Sequence, residues 1–222
     1  MRQSPDRFVI RRTLIAGLAA LAAAPASAAP RRQVVTVLGD SITAGLGLPE
    51  AAALPAQLEA ALRRLRVAAV VRGAGVSGDT SADGLARIDF SVQADTAVCL
   101  VALGGNDLLQ GLDPKTTRAN LAAIVRRLKA RRITVVLAGL TAPKAVGAHY
   151  ARDFNAVFAA VAAAEHVALY PDLMAGVGPG LRQRDGIHPS AAGVKVIAGR
   201  LAPLLAKSLG AHPSGARSKP RR

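Results

Sequence analysis

Asp40 and Ser41 stand where an apolar run, residues 34–38, gives way to glycines in the stretch GDSITAG. A turn accounts for the glycines, but not for the serine. A serine hydroxyl becomes a nucleophile only when a base takes its proton, and that base must itself be oriented by a third group. Four histidines are available as the base. His212 lies in a C-terminal run of turn formers, His166 opens an expected strand beside Glu165, and His149 sits in an expected loop. His188 has a carboxylate at a useful offset: Asp185 lies three residues earlier in RDGIHPS, Gly186 permits a tight bend, and Pro189 keeps His188 out of helical geometry. Asp185 can then hold one imidazole nitrogen while the other faces a reacting group.

Acyl transfer also needs donors already aimed at the developing oxyanion. Three positions offer them: the backbone N–H of Ser41, that of Gly78 in SGDTS, and the side-chain amide of Asn106 in GGND. Each of these, taken alone, reads as a turn residue or a loop amide that satisfies its own backbone.

Five apolar runs of strand length could position these blocks, at residues 34–38, 67–71, 97–103, 133–138 and 166–170. Helical stripes separate them. Leu54, Leu58, Leu62 and Leu65 share a face, as do Leu121, Ile124, Val125 and Leu128; Phe154, Val157, Phe158 and Val161 form a third stripe, and Val194, Ile197, Leu201 and Leu204 a fourth. Alternating strands and helices with nearly continuous apolar strands predict an α/β fold, a five-stranded parallel sheet covered on both faces. Such a sheet binds ligands beyond the carboxyl ends of its strands, and every polar block above follows a strand.

The chain has 222 residues, is 51% hydrophobic, and contains no Trp, two Tyr and four Phe, so an aliphatic core is expected. Residues 1–28 read as an export signal: Arg11–Arg12, an apolar stretch too short to span a bilayer, then Ala26-Ser27-Ala28 as a cleavage site, with a loose twin-arginine pattern. A periplasmic or secreted location follows as an expectation. The remaining chain keeps 25 basic and 13 acidic side chains, a net charge of +12. Residues 211–222 form a basic tail without apolar periodicity, expected to be disordered. The basic balance suits peripheral contact with anionic membrane; nucleic acid is not an expected partner, since neither stacking aromatics nor a binding motif accompanies the charge. Cys99 lies in an apolar run and is expected to be an inert core thiol. The histidines lack metal-ligand spacing, so no metal and no cofactor are expected. A monomer is expected.

Together, GDS, SGDTS, GGND and DGIHP resemble the four sequence blocks of the SGNH (GDSL-type) hydrolase family, nearest its thioesterase I, protease I and lysophospholipase branch and the related arylesterases. The resemblance runs from Val34 to about Leu205 and implies a flavodoxin-like three-layer α/β/α sandwich over residues 29–210. It implies Ser41 as nucleophile, His188 and Asp185 as its partners, Ser41, Gly78 and Asn106 as the oxyanion hole, and Asp40 as a structural residue. It further implies an esterase acting on short-chain or aryl esters, lysophospholipids or acyl thioesters, with a carbohydrate O-acetyl esterase as the alternative. The segment from Pro143 through Gly147 and Tyr150 resembles the acyl-pocket lining of that branch. The second block departs from it, reading Gly73-Ala74-Gly75 where a polar lead-in is usual.

Two rivals remain at the level of sequence. Gly73, Gly75 and Gly78 fit a dinucleotide-binding fingerprint, but they follow the second expected strand, not the first. A non-catalytic binder of envelope glycans could use the same loops, though it gives no reason for Asp185, His188 and Asn106 to accompany the serine. The Gly-x-Ser-x-Gly elbow of ordinary α/β-hydrolases is absent.

Overall fold

The computed structural model describes residues 32–211. The expected export signal and the basic tail beyond Ala211 lie outside the described residues. Strand β1 (Gln33–Gly39) runs into a one-turn helix α1 (Ser41–Ala44), and α2 (Leu54–Arg64) returns to β2 (Ala69–Gly75). Helices α3 (Ser81–Ala86) and α4 (Ile88–Ser91) lead to β3 (Thr96–Ala102); α5 (Gly105–Leu109) and α6 (Pro114–Ala130) lead to β4 (Thr134–Ala138). Helix α7 (Ala148–Glu165) precedes β5 (Ala168–Tyr170), and α8 (Ala191–Ala211) closes the domain.

All strand pairs are parallel, in the order β2-β1-β3-β4-β5. Connections therefore depart in opposite directions from β1 and from β3, which opens a crevice above those two strands. Ser41 follows one and Asn106 follows the other.

The pleat sends alternate residues to opposite faces. Val98, Leu100 and Ala102 pack with Leu54, Leu58 and Leu62 of α2 and with Val194, Ile197 and Leu201 of α8. Cys99, Val101 and Leu103 pack with Leu121, Ile124 and Leu128 of α6 and with Phe154 and Phe158 of α7. The result is the expected three-layer sandwich, in which each fully buried Leu or Ile contributes about 1.5–3 kcal/mol of burial. Cys99 is fully buried, and burial pushes its thiol up to about 12, as expected for an inert core residue. The outer edge of β2 is blunted by Glu59, whose carboxylate accepts the outward Val71 N–H at 2.9 Å. Among the described residues no helix is long and apolar enough to cross a membrane.

Some boundaries depart from the sequence expectation. Strand β2 begins at Ala69 and extends through Gly75, so Gly73 and Gly75 are strand residues. A Cβ on Gly75 would lie 2.4 Å from Ala44 N and 2.7 Å from Asp40 O, so this glycine lets α1 lie against β2. Helix α3 opens at Ser81 from a Thr80–Asp83 capping box, not from the glycines. The dinucleotide geometry is therefore not built here. His166 caps α7 in the left-handed conformation (φ 53°) and does not open β5; His149 lies in the first turn of α7 and not in a loop. Leu65 is 47% exposed because α2 has already ended, and the α8 stripe continues through Leu205, not Leu204.

Candidate active site

Asp40 is the N-cap of α1: its Oδ1 accepts the Ile42 N–H at 3.0 Å, which fixes the turn carrying Ser41. Asp40 is 4% exposed, and burial raises its carboxyl to about 6 despite that hydrogen bond and the nearby His188. Its second oxygen lies against Gly105, where a Cβ would come within 3.0 Å. The glycine pair of GGND is explained by this approach and by Gly104, which starts α5 at φ 113°.

Ser41 Oγ lies 2.8 Å from His188 Nε2, although the residues are 147 positions apart. His188 Nδ1 lies 2.6 Å from Asp185 Oδ2, while Asp185 Oδ1 accepts the Ile187 N–H at 2.9 Å and the His188 N–H at 3.0 Å. The hydrogen bond from His188, followed by the two backbone N–H groups, lowers the Asp185 carboxyl to about 2. An ionised Asp185 can only accept, so Nδ1 carries a proton and Nε2 is left to accept from the serine. An imidazole so held can remove the serine proton as the oxygen attacks a carbonyl.

The donor side is built from the neighbouring loops. Gly78 has φ 91°, and a Cβ placed there would meet nothing within 4 Å. The N–H groups of Gly78 and Ser41 have no acceptor among the described residues. Val76 N–H binds Gly39 O at 3.1 Å, and Asn106 Nδ2 donates to Asp79 O at 2.8 Å, so the segment holding Gly78 is tied on one side to β1 and on the other to Asn106. That bond occupies one amide hydrogen of Asn106 and fixes the direction of the other. Asp107 anchors the same turn from beneath: 1% exposed, it accepts from Ser81 N at 2.7 Å, Ser81 Oγ at 2.5 Å and Thr117 Oγ1 at 3.0 Å.

Two positioning residues had no sequence signal. Arg87 Nε binds Asp79 at 2.5 Å, while its other nitrogens donate to the carbonyls of Ala74 at 3.0 Å and Gly39 at 2.9 Å and to Ser91 Oγ at 2.9 Å. One guanidinium thus joins the ends of β1 and β2 to the Gly78 loop. Gln183 Nε2 donates to Leu46 O at 2.8 Å and Pro189 O at 3.1 Å, clasping the serine loop to the residue after His188. Gln183 Nε2 binds backbone carbonyls, which any residue type supplies, and Arg87 divides its bonds between two carbonyls and the side chains of Asp79 and Ser91, so no sequence motif marks either. Tyr150 is committed to the fold, with its hydroxyl donating to Leu112 O at 2.9 Å and its ring stacked on Phe154.

Residues 37–196 match the GDSL-like lipase/acylhydrolase family. The chain is 39% identical over 186 residues to the esterase TesA of Pseudomonas aeruginosa, covering 82% of this chain and 92% of that protein. It is 36% identical over 157 residues to the thioesterase 1/protease 1/lysophospholipase L1 of Escherichia coli K12, covering 69% and 74%. Among solved structures, the SGNH-hydrolase family esterase AlinE4 superposes with a TM-score of 0.69 at 39% identity, over 82% of this chain and 99% of that one.

Proposed function

The chain belongs to the GDSL-like lipase/acylhydrolase family, and from that premise we propose an exported serine esterase whose acyl-enzyme forms on Ser41. The observation that carries the assignment is the chain of contacts from Ser41 Oγ through both nitrogens of His188 to Asp185, at 2.8 and 2.6 Å. In the first step Ser41 Oγ bonds to the acyl carbon as its proton passes to His188 Nε2. The oxyanion is held by the N–H groups of Ser41 and Gly78 and the free amide hydrogen of Asn106. The intermediate then collapses, the bond to the leaving alcohol or thiol breaks, and His188 returns the proton to that group. Water, deprotonated by His188, attacks the acyl-enzyme, and acid and free serine are released. Asp40 holds the serine turn and takes no proton from substrate.

Acyl and aryl esters suit the rim. Leu46, Val76, Leu109, Val146 and Ile187 are 45–60% exposed, and each lies in a segment that follows a strand's carboxyl end or beside His188. Lysophospholipids, acyl thioesters and carbohydrate O-acetyl groups undergo the same acyl chemistry, and the names of the relatives favour the first two together with simple esters. Export rests on the sequence of residues 1–28, and a periplasmic or secreted location goes with it.

Labelling with a fluorophosphonate, alongside a panel of p-nitrophenyl esters of increasing chain length, tests the reading. Label confined to the peptide containing Ser41, together with ester turnover that the label abolishes, is the expected result. Label elsewhere, or undiminished turnover after complete labelling, overturns it.

A further inference from the structure

Helices in this sandwich run antiparallel to the strands, so their C-terminal ends gather at the edge where strands begin, opposite Ser41. Helix α2 ends in Arg63 and Arg64, and Arg66 leads on to β2; Arg131 and Arg132 lie between α6 and β4. Arg32 precedes β1, and Lys207 lies near the end of α8, where Leu209 O accepts from Gln33 Nε2 at 3.5 Å. Arg32, Arg63, Arg64, Arg66, Arg132 and Lys207 are exposed and have no ion-pair partner among the described residues.

The acids nearby leave this charge uncompensated. Asp89 faces Arg127 and Arg131, Glu165 binds Arg126 at 2.9 Å, Asp95 binds Arg72 at 2.8 Å, and Glu59 holds the Val71 N–H. A helix dipole accounts for cations in a last turn, but Arg32, Arg66 and Arg132 lie outside the helices. The catalytic edge differs, since Lys115, Lys144, Arg182 and Arg184 follow the strands' carboxyl ends together with Glu50, Asp113, Asp172 and Asp185.

Two exposed apolar side chains accompany the cations. Leu65, 47% exposed, stands between Arg64 and Arg66, and Phe90, 89% exposed, follows the Asp89 that faces α6. A soluble polyanion would match the charge and leave both side chains in water. An anionic lipid surface matches charge and apolar groups together.

We propose that this edge seats the protein on an anionic phospholipid surface, with the catalytic edge turned toward solvent. Strand β1 spans seven residues, so Ser41 stands roughly 20–25 Å above the docking face. That separation exceeds the Debye length of about 8–10 Å at physiological salt. Docking therefore leaves hydrolysis of a soluble ester unchanged, and keeps esters of the same leaflet out of reach. The docking does not depend on the acyl-transfer assignment.

The test is co-sedimentation of the full chain with phosphatidylglycerol-containing vesicles and with pure phosphatidylcholine vesicles at low salt. Binding to the first and not the second is expected. The variant Arg63→Glu/Arg64→Glu/Arg66→Glu should lose roughly 100-fold in partitioning while hydrolysing p-nitrophenyl acetate like the parent, and Lys115→Glu/Lys144→Glu should bind unchanged. If the charge reversal impairs folding, judged by lost hydrolysis, the Arg63→Gln/Arg64→Gln/Arg66→Gln variant reads the same difference. Equal binding to neutral vesicles, parental binding by the folded variant, or capture by heparin without vesicle binding would each overturn the proposal.

Discussion

At the edge where the strands end, charged and amide side chains are bonded inward to loops. Arg87 joins the ends of β1 and β2 to the Gly78 loop, Gln183 ties two loops together, and Asp40 and Asp107 each fix a helical turn. At the edge where the strands begin, Arg63, Arg64, Arg66 and Arg132 extend into solvent. One edge must keep donors aimed at a charge that appears only in the transition state, so its polar groups have to be in place before substrate arrives. The other, on our proposal, meets a laterally disordered array of headgroups, for which density of charge matters and fixed direction does not. Their separate roles imply that substitutions at one edge should not register at the other.

The largest effect expected from breaking the catalytic edge is that of Ser41→Ala. Turnover of p-nitrophenyl acetate should fall by on the order of 10⁵-fold or more, with residual rate from the oxyanion donors, and vesicle binding should persist. Asn106→Ala comes next, with a loss of about 100- to 1000-fold in kcat and a thermal midpoint close to the parent's.

Asp40→Asn tests the fold beneath the serine. Because burial raises the Asp40 carboxyl from 3.8 to about 6, the folded protein binds more protons than the unfolded chain between those values. Stability therefore declines as pH rises through that window. Asparagine keeps the acceptor for Ile42 N–H without the buried charge. The variant should be more stable than the parent by up to about 3 kcal/mol at pH 8, and in thermal melts the difference should shrink through that window and vanish below about pH 3. A smaller loss, roughly tenfold in kcat, is expected of Gln183→Ala, since the serine and histidine loops then lose a tie that holds their separation. Smallest of all is the effect of reversing Arg63, Arg64 and Arg66 on hydrolysis of the soluble ester, which should stay within about twofold of the parent.

The layers were legible because buried parallel strands and amphipathic helices leave opposite periodicities, as residues 97–103 and Leu121, Ile124, Val125 and Leu128 do. The end of β2 was not, because Gly73 and Gly75 look like loop residues. Their lack of a side chain serves close approach, of Pro55 in α2 to Gly73 and of α1 to Gly75, a fact of tertiary packing. His166 falls outside β5 for a similar reason: it closes α7 in the left-handed conformation, with its N–H on the carbonyls of Ala162 and Ala163, before the chain enters the strand. At the site, Ser41, Asp185, His188, Gly78 and Asn106 were legible as types with known chemical needs. Arg87 and Gln183 were not, since the carbonyls they bind carry no residue type, and the Asp79 and Ser91 partners of Arg87 form no motif that singles it out among the other arginines.

On the proposed mechanism, Ser41 carries the acyl group between two proton transfers at His188. Rapid quenching during turnover of a p-nitrophenyl ester, followed by peptide mass mapping, measures it most directly. One acyl group should appear on the peptide containing Ser41 and disappear as substrate is exhausted. Full turnover with that peptide unmodified at every quench time, or the acyl group on another residue, would contradict it.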